Sequence, residues 1–262
     1  MPSRDEGGRP REPEPHPLDA VIWQALTGVQ EGLAEGDARA RRYPAAIAPF
    51  AATRDTEPAS FRSLLALVSR DDGVALFTTE DVKAPSTFSV IRRDSVDQMV
   101  LGDAGACAVQ PRASITGLSI ADVPEMLALA NLTQPGPFGP RTIELGDYIG
   151  IRQRDRLVAM VGGRMRLEGF TEISAVCVDP AYRGQGFAVD LVGSLVSRIA
   201  ARLEIPFLHV FSSNVAAIAL YCKLGFTLRR RMRLAVLARA EAGASSGHSG
   251  HSESVEEQGK QR

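Results

Sequence analysis

The chain has 262 residues, 44% of them hydrophobic, which is enough to bury one large core or two modest ones. Its 30 basic residues (Lys and Arg) and 31 acidic residues (Asp and Glu) nearly cancel and leave a formal net charge of -1. This balance argues against the strongly basic surface of a general nucleic-acid binder and gives no attraction to an anionic membrane. We therefore expect neither nucleic acid nor membranes as partners.

Residues 1–17 are rich in proline, glycine and charge, and we expect them to be disordered. They lack the apolar core of a secretory signal. No apolar run in the chain approaches the roughly 18 residues that a membrane-spanning helix needs. These features predict a cytoplasmic protein.

Residues 18–112 form the first of two predicted halves. Over residues 18–36, apolar side chains recur at one-turn spacing and predict a helix with a buried stripe: Ile22, Leu26, Val29 and Leu33. A second helix over residues 60–69 and two strands, "GVALFTT" and "FSVIRR", complete an α/β half. This half contains neither a glycine-rich turn nor clustered acid–base groups, so we expect no catalytic residue before Ser114.

Residues 113–239 form the second predicted half, in which strands and helices alternate. After a short strand, a helix begins near Asp122, and "DYIGIRQ" and "RLVAMVGGRMRL" form a hairpin. The remaining elements are the strands "GFTEISAVCVDP", "PFLHVF" and "FTLRRRMRLAVL" and the helices "GFAVDLVGSLVSRIAARL" and "NVAAIALYCKLGF". This order predicts a mixed sheet with helices on both faces, which is an α/β or α+β fold.

The last strand carries a run of arginines that resembles a nucleic-acid patch. At strand spacing, one face holds Arg230 and the apolar side chains: Phe226, Leu228, Met232 and Leu234. The opposite face holds the other arginines: Arg229, Arg231 and Arg233. That pattern is more simply an ordinary solvated face than a nucleic-acid site.

Residues 240–262 are rich in Ser, Gly, His and Glu, and we expect them to be disordered as well. His248 and His251 are more simply part of this solvated tail than metal ligands. The cysteines are odd in number and not at metal-ligand spacing, which predicts a reduced protein without a metal: Cys107, Cys177 and Cys222.

The turn "RGQGFA", residues 183–188, places two glycines at the start of a helix, where glycine lowers helix stability. Gly184 and Gly186 would let the backbone approach a ligand closely. The first N–H groups of the helix have no intrahelical partner and lie at the positive end of its dipole. With the charge of Arg183, they could form a cradle for a pyrophosphate. The alternative is a tight strand-to-helix turn without a ligand.

Two further features lie near this turn in the predicted fold. Asn214 and Tyr221 are seven residues apart and therefore share one helical face, although Tyr221 alone would more simply be a core aromatic. Strand alternation gives Glu172 three neighbours on its own face: Ser174, Val176 and Val178. It places Cys177 on the opposite face. Glu172 is then either a solvated edge residue or a general base placed beside the site.

Two sequence patterns include these residues. The turn fits Q/R-x-x-G-x-G/A through Arg183, Gly186 and Ala188. The later helix fits N-x-x-A-x-x-x-Y-x-x-x-G-F through five positions: Asn214, Ala217, Tyr221, Gly225 and Phe226. In this pairing and order, the chain resembles the GNAT N-acetyltransferases over about residues 113–239. The resemblance implies the splayed mixed sheet of that family.

The resemblance also implies acetyl-CoA as co-substrate, direct attack by an amine acceptor, and no metal. The positions that match coenzyme-binding positions of the family are Val176, Cys177, Val178, Arg183, Gly184, Gln185, Gly186, Phe187, Ala188 and Asn214. Glu172 would be the general base, acting through water, because an amine is mostly protonated at neutral pH. Tyr221 would be the general acid. Backbone N–H groups near Cys177 would polarise the thioester oxygen, and the Cys177 and Cys222 side chains are more simply buried hydrophobic groups than nucleophiles.

A catalytically silent acetyl-CoA-binding module with a regulatory or scaffolding role is the alternative to an enzyme. Residues 18–112 resemble the extra N-terminal half of larger relatives, a degenerate copy of the same fold being one interpretation, and we expect a structural or acceptor-framing role. In the loop "PGPFGPRT", Arg141 could read a carboxylate on the acceptor, or the loop could be purely structural. The identity of the acceptor and the choice between monomer and homodimer stay open.

Overall fold

The computed structural model describes residues 16–70, 72–102 and 112–241. The α-helices in these ranges are α1 (Val21–Thr27), α2 (Pro58–Leu67), α3 (Val123–Thr133), α4 (Phe187–Ala200) and α5 (Val215–Lys223). The strands are β1 (Glu35–Gly36), β2 (Ala40–Arg42), β3 (Ala51–Thr53), β4 (Gly73–Thr78), β5 (Phe88–Leu101), β6 (Ile115–Leu118), β7 (Tyr148–Gln153), β8 (Arg156–Leu167), β9 (Phe170–Val178), β10 (Ile205–Phe211) and β11 (Phe226–Arg239). Nearly all of both predicted disordered tails lies outside the described residues, as do Cys107, His248 and His251.

One eight-stranded sheet runs through the molecule in the order β4-β11-β5-β10-β9-β8-β7-β6. Every neighbouring pair is antiparallel except β9 and β10, which are parallel. These two strands pair only from Phe170 to Glu172 on β9, opposite Ile205 to Phe207 on β10. Beyond Glu172 they separate, so the middle of the sheet opens into a cleft.

Helices cover both faces of this sheet. On one face, α4 and α5 bury apolar side chains that include Leu191, Leu195, Ile199 and Tyr221. On the other face, α1 and α3 bury residues that include Ile22, Leu26, Met126 and Leu129. This architecture confirms the predicted mixed α+β fold with helices on both faces. Among the described helices, none has the length and apolar character needed to span a bilayer.

The sheet crosses the boundary predicted near residues 112 and 113. Strands β4 and β5 precede that boundary, yet β5 lies between β10 and β11, and β4 pairs with the outer edge of β11. A separate three-stranded sheet, β1-β2-β3, packs with α2 around Phe61 and Leu64. The predicted division therefore does not separate two independent sheets.

The first predicted helix is shorter than expected. Helix α1 ends at Thr27, because Gly28 has a non-helical backbone and a Cβ at this position would lie 2.9 Å from the carbonyl oxygen of Gln24. Ile22 and Leu26 are buried as predicted. The prediction for Val29 is wrong, since this side chain is exposed beyond the helix end.

Strand β9 contains a bulge at Ala175, which has a left-handed φ of 51°. The register with β8 shifts at this point, between Met160 and Gly162. Three side chains then pack towards α4: Ile173, Val176 and Val178. Two pack towards α3: Ala175 and Cys177. The predicted alternation is therefore wrong beyond the bulge, and Glu172 shares its face with Cys177.

Strand β11 also departs from simple alternation. Its register against β5 shifts between Leu228 and Arg230, and Leu228 is exposed, contrary to the prediction that it faces the core. The arginines predicted for the face opposite Arg230 bond to polar residues of neighbouring segments: Arg229 to Asp19 and Gln98, Arg231 to Asp97, and Arg233 to Ser95. The arginine run is thus a polar, partly exposed face linked by ion pairs.

Candidate active site

A cavity of about 670 Å³ lies where β9 and β10 separate. Its walls come from both of these strands, the start of α4, one face of α5, the loop after α3, and strands β4, β5 and β11. Six residues predicted for the site line it together: Val176, Val178, Arg183, Ala188, Asn214 and Tyr221. The two sequence patterns therefore meet at one cavity.

The glycine turn forms one end of this cavity. Gly184 and Gly186 have left-handed φ values of 79° and 85°, which favour glycine. No heavy atom lies within 4 Å of the place where a Cβ would stand on either residue, so the backbone there faces open space. Gly186 is the N-cap of α4, and no side chain caps this helix. Unpaired N–H groups and Arg183 together suit an anionic group such as a pyrophosphate.

Helix α5 presents one face to the same cavity. Asn214 caps the helix, its Oδ1 accepting a hydrogen bond from the N–H of Ala217 at 3.1 Å. Tyr221, two turns further on, is buried and packs edge-on against Phe226. Burial raises the pKa of Tyr221 to about 12, so its hydroxyl is protonated at neutral pH. The side chain can therefore donate a hydrogen bond or a proton into the cavity.

Glu172 is fully enclosed and does not line the cavity. Arg164 donates two hydrogen bonds to its carboxylate, from Nε to Oε2 at 2.7 Å and from Nη2 to Oε1 at 2.6 Å. His209 Nδ1 lies 2.7 Å from Oε1. Burial alone would raise the pKa of Glu172, but Arg164 and His209 outweigh it and lower the pKa to about 2. Arg164 and His209 do line the cavity, so they stand between it and the carboxylate.

The end of the cavity opposite the glycine turn is aromatic. Phe50 and Phe77 pack with ring centroids 5.4 Å apart, and Phe77 lies 4.6 Å from the His209 ring. The Arg164 guanidinium lies over the Phe50 ring at 4.7 Å. Phe50 and Phe77 belong to the N-terminal part of the chain, so that part supplies a wall of the cavity.

Residues 148–234 match the family model described as FR47-like protein. A crystal structure of a putative acetyltransferase from the GNAT family, from Novosphingobium aromaticivorans, is similar to this chain with a TM-score of 0.80 and 38% sequence identity. The similarity covers 87% of this chain and 100% of that one. The chain belongs to the GNAT family of acetyltransferases.

Two mycobacterial proteins match over shorter stretches of the chain. The N-alpha-acetyltransferase RimI of Mycobacterium tuberculosis is 39% identical over 90 residues, which cover 32% of this chain and 56% of that one. An uncharacterised protein of Mycobacterium leprae is 38% identical over 84 residues, which cover 30% of this chain and 22% of that one. This chain thus spans about half or less of these curated relatives. A GCN5-related N-acetyltransferase from Kribbella flavida, 14% identical with a TM-score of 0.54, shares the fold.

The remaining predicted residues of this GNAT protein lie around the cavity in different ways. The side chains of Phe187 and Cys177 are buried in apolar cores, so only their backbone groups could contact a coenzyme. Gln185 is exposed at the glycine turn. Burial raises the pKa of the Cys177 thiol to about 11, consistent with a structural side chain. The prediction that Cys222 is buried is wrong, because it is exposed on α5.

The loop "PGPFGPRT" contributes to the cavity through residues 135–137. Arg141 does not line the cavity. It forms a two-bond ion pair with Glu144, at 2.6 and 2.8 Å, on the exposed surface. The geometry therefore does not support Arg141 as a reader of the acceptor.

Sequence reasoning missed Arg164, His209 and the two phenylalanines. A signal for Arg164 was present, since it is a charged residue within the apolar strand "VAMVGGRM", the same kind of anomaly that drew attention to Glu172. Phe50 and Phe77 carried no such signal, because isolated phenylalanines are ordinary core residues. Pairing between distant segments brings them to the cavity, because β4, which carries Phe77, pairs with β11 and Phe50 bridges to Ala75 of β4.

Proposed function

We propose that the protein transfers an acetyl group from acetyl-CoA to an amine acceptor by direct attack of the amine on the thioester. The observation that carries this proposal is the single cavity that joins the glycine turn, Tyr221 and the aromatic end. Membership of the GNAT family supports acyl transfer as the reaction type. An amine acceptor also agrees with the name of the mycobacterial relative, an N-alpha-acetyltransferase.

The start of α4 is the proposed binding site for the coenzyme pyrophosphate. The glycines at positions 184 and 186 keep the backbone open to a ligand, and Arg183 adds a positive charge. Along β9, Val176 and Val178 line the cavity on the stretch where β10 has moved away. The backbone of residues 176–178 would hold the pantetheine arm there, with Asn214 and Ala217 on the opposite wall.

Acetyl-CoA supplies the activated thioester, and the side chains and backbone of this chain orient it and manage protons. The N–H groups of β9 near Cys177 would polarise the thioester carbonyl. Tyr221 would donate a proton to the sulfur that leaves, because its hydroxyl is protonated and the residue lines the cavity. Its raised pKa makes it a weak acid, so the main contribution is a hydrogen bond that strengthens as charge develops on sulfur.

The proton of the amine needs a route out of the cavity, and the contacts of Glu172 limit that route. A carboxylate with a pKa of about 2, enclosed by Arg164, is a weak base and cannot touch the acceptor itself. We propose that Glu172 acts through His209, which it holds by a hydrogen bond at 2.7 Å and which lies in the cavity wall. Gln98 Nε2 lies 3.1 Å from His209 Nε2 and would have to give up this contact when the ring takes a proton.

The test is thiol release from acetyl-CoA across a panel of amines, with coenzyme binding measured separately by calorimetry. Amine-dependent thiol release supports the proposed reaction. Tight coenzyme binding without transfer to any amine would instead support a catalytically silent binding module. Absence of coenzyme binding would contradict both functions.

A further inference from the structure

The described side chains of the cavity wall that can carry a full charge are all basic. Among the described residues that line it, Arg164, Arg183 and His209 can carry positive charge, and none carries a carboxylate. Arg183 belongs to the glycine turn, at the coenzyme end. Arg164 and His209 lie at the aromatic end, so a cationic group of a ligand would find no counter-charge there.

The ion pair with Glu172 does not use all the hydrogen-bond donors of Arg164. Its Nε and Nη2 bond to Glu172, and no described residue bonds to Nη1. The side chain is only 9% exposed and lines the cavity, and its guanidinium is held against the Phe50 ring. An accessible guanidinium N–H that lacks a protein partner in a cavity wall is suited to an oxygen atom of a ligand.

His209 has no free ring nitrogen for a ligand, because both of its nitrogens lie within hydrogen-bond distance of protein groups. Its Nδ1 bonds to Glu172, and Gln98 Nε2 lies 3.1 Å from its Nε2. The amide of Gln98 is fixed in turn, because its Nε2 donates to the carbonyl of Leu18 and its Oε1 accepts from Arg229. His209 is thus held as part of the wall beside Phe77, and the apolar rings leave Arg164 as the polar anchor of this end.

We infer that the aromatic end binds an acceptor with an apolar body and a carboxylate, and that Arg164 Nη1 holds this carboxylate. This inference rests on the proposed function, because it names the class of amine that would enter the cavity. The amine of such an acceptor would point back towards Tyr221, and its apolar body would lie against Phe50 and Phe77 on the side that lines the cavity. A small amino-carboxylate with an apolar side chain fits these walls, whereas a basic peptide does not.

Three probes of equal length separate the charge of the ligand from its shape: 3-phenylpropanoate, 3-phenylpropanamide and 3-phenylpropylamine. Calorimetry on the full chain, with and without bound coenzyme A, gives the affinity of each. We expect the carboxylate to bind about tenfold or more tightly than the amide and the amine, as a charge-assisted hydrogen bond in a partly dry site would produce. Equal affinities, tightest binding of the amine, or no saturable binding of any probe at millimolar concentration would overturn the inference.

Variants then locate the effect. The double variant Arg164→Gln/Glu172→Gln removes both charges together and should abolish the preference for the carboxylate without leaving one charge unpaired. Phe50→Leu should weaken all three probes alike and keep the preference. Arg141→Ala is the matched control, and it should change nothing because Arg141 lies outside the cavity wall. Loss of the preference in Arg141→Ala, or its persistence in a folded double variant, would overturn the assignment to Arg164.

The same measurements distinguish this inference from the proposed function. If coenzyme A does not bind at all, the proposed function fails. If coenzyme A binds and the three probes show no preference for the carboxylate, the function stands and the inference about the acceptor fails.

Discussion

Arg164 on β8 and Glu172 on β9 form an enclosed ion pair with two parallel hydrogen bonds of 2.7 and 2.6 Å. The register of the two strands shifts between Gly163 and Arg166, beside this pair. Because Glu172 is fully buried and Arg164 nearly so, each charge would be poorly hydrated if the other were removed. The pair therefore links the stability of the sheet to the wall of the cavity.

Glu172→Gln should destabilise the protein, since it leaves the Arg164 guanidinium buried without a counter-charge. A loss of about 3 kcal/mol or more is expected when one partner of such a pair is removed. Denaturant unfolding measures it, with Arg164→Gln/Glu172→Gln as the matched control that should regain part of the loss. If Glu172 acts through His209, the kcat of the folded single variant should also fall and its pH profile should change. Wild-type stability in Glu172→Gln would contradict the ion-pair argument.

The wild-type protein should lose stability in acid through the same group. The pKa of Glu172 is lowered to about 2 in the folded protein, from 4.5 as the ordinary value. Its contribution is therefore fully present above about pH 4.5 and is lost as the pH falls towards 2. Unfolding free energies measured down this range should fall less steeply in the Arg164→Gln/Glu172→Gln variant, which lacks the carboxylate. Parallel curves for the two proteins would show that other groups dominate acid unfolding.

Tyr221→Phe should lower kcat while leaving coenzyme affinity unchanged. The substitution keeps the ring in its apolar setting and removes the hydroxyl that we propose as the proton donor to the leaving sulfur. General acids contribute about 10² to 10⁴-fold, and the lower end is expected here because a phenol with a pKa of about 12 is a weak acid.

Tyr148→Phe is the matched control for that experiment. Tyr148 is also buried, has no hydrogen-bond partner for its hydroxyl among the described residues, and does not line the 670 Å³ cavity. Loss of the Tyr148 hydroxyl should therefore leave kcat unchanged. Equal turnover in Tyr221→Phe and wild type would remove Tyr221 from the reaction.

Gly186→Val should abolish binding of acetyl-CoA. Its φ of 85° strains any other residue, and the new side chain would project into the open space that we assign to the pyrophosphate. Gly169→Val controls for the strain, since Gly169 has a φ of 75°, equally open surroundings, and a position in the β8–β9 turn away from the cavity. Calorimetry should show acetyl-CoA binding to the Gly169→Val protein and none to the Gly186→Val protein. Unchanged affinity in a folded Gly186→Val protein would contradict the assigned coenzyme site.

The parts of the site that could be predicted from the sequence are local ones. The glycine turn and the Asn214–Tyr221 helix are each encoded within a dozen or so consecutive residues, so their geometry follows from helix and turn rules. The aromatic end depends on strand order instead. Phe77 reaches the cavity because β4 joins the sheet beside β11, and Phe50 reaches it through its bridge to Ala75 of β4. No local pattern encodes these pairings.

The errors in the prediction have a similar origin. Alternation along β9 held as far as Ala175, where a left-handed residue that is not glycine shifts the register by one position. A sequence pattern gives no warning of such a bulge, because alanine is unremarkable in a strand. The early end of α1 was more predictable, since Gly28 follows directly after Thr27 and glycine commonly ends helices.

A chain that begins at Arg112 should fail to fold. From the sequence alone, such a chain could keep the coenzyme site, but the structure places β5 between β10 and β11, where it pairs with β11 along most of its length. Removing it would leave long unpaired edges on both strands, and the loss of Met99 would expose the apolar residues that pack around it, which favours aggregation. A chain that begins at His16 is the control, and it should fold and bind acetyl-CoA because it keeps every strand that the structure describes. Size-exclusion chromatography and calorimetry on both chains decide the matter. A monodisperse Arg112 chain that binds acetyl-CoA would show that residues 113–239 are an independent domain after all, and that β5 is dispensable for the sheet.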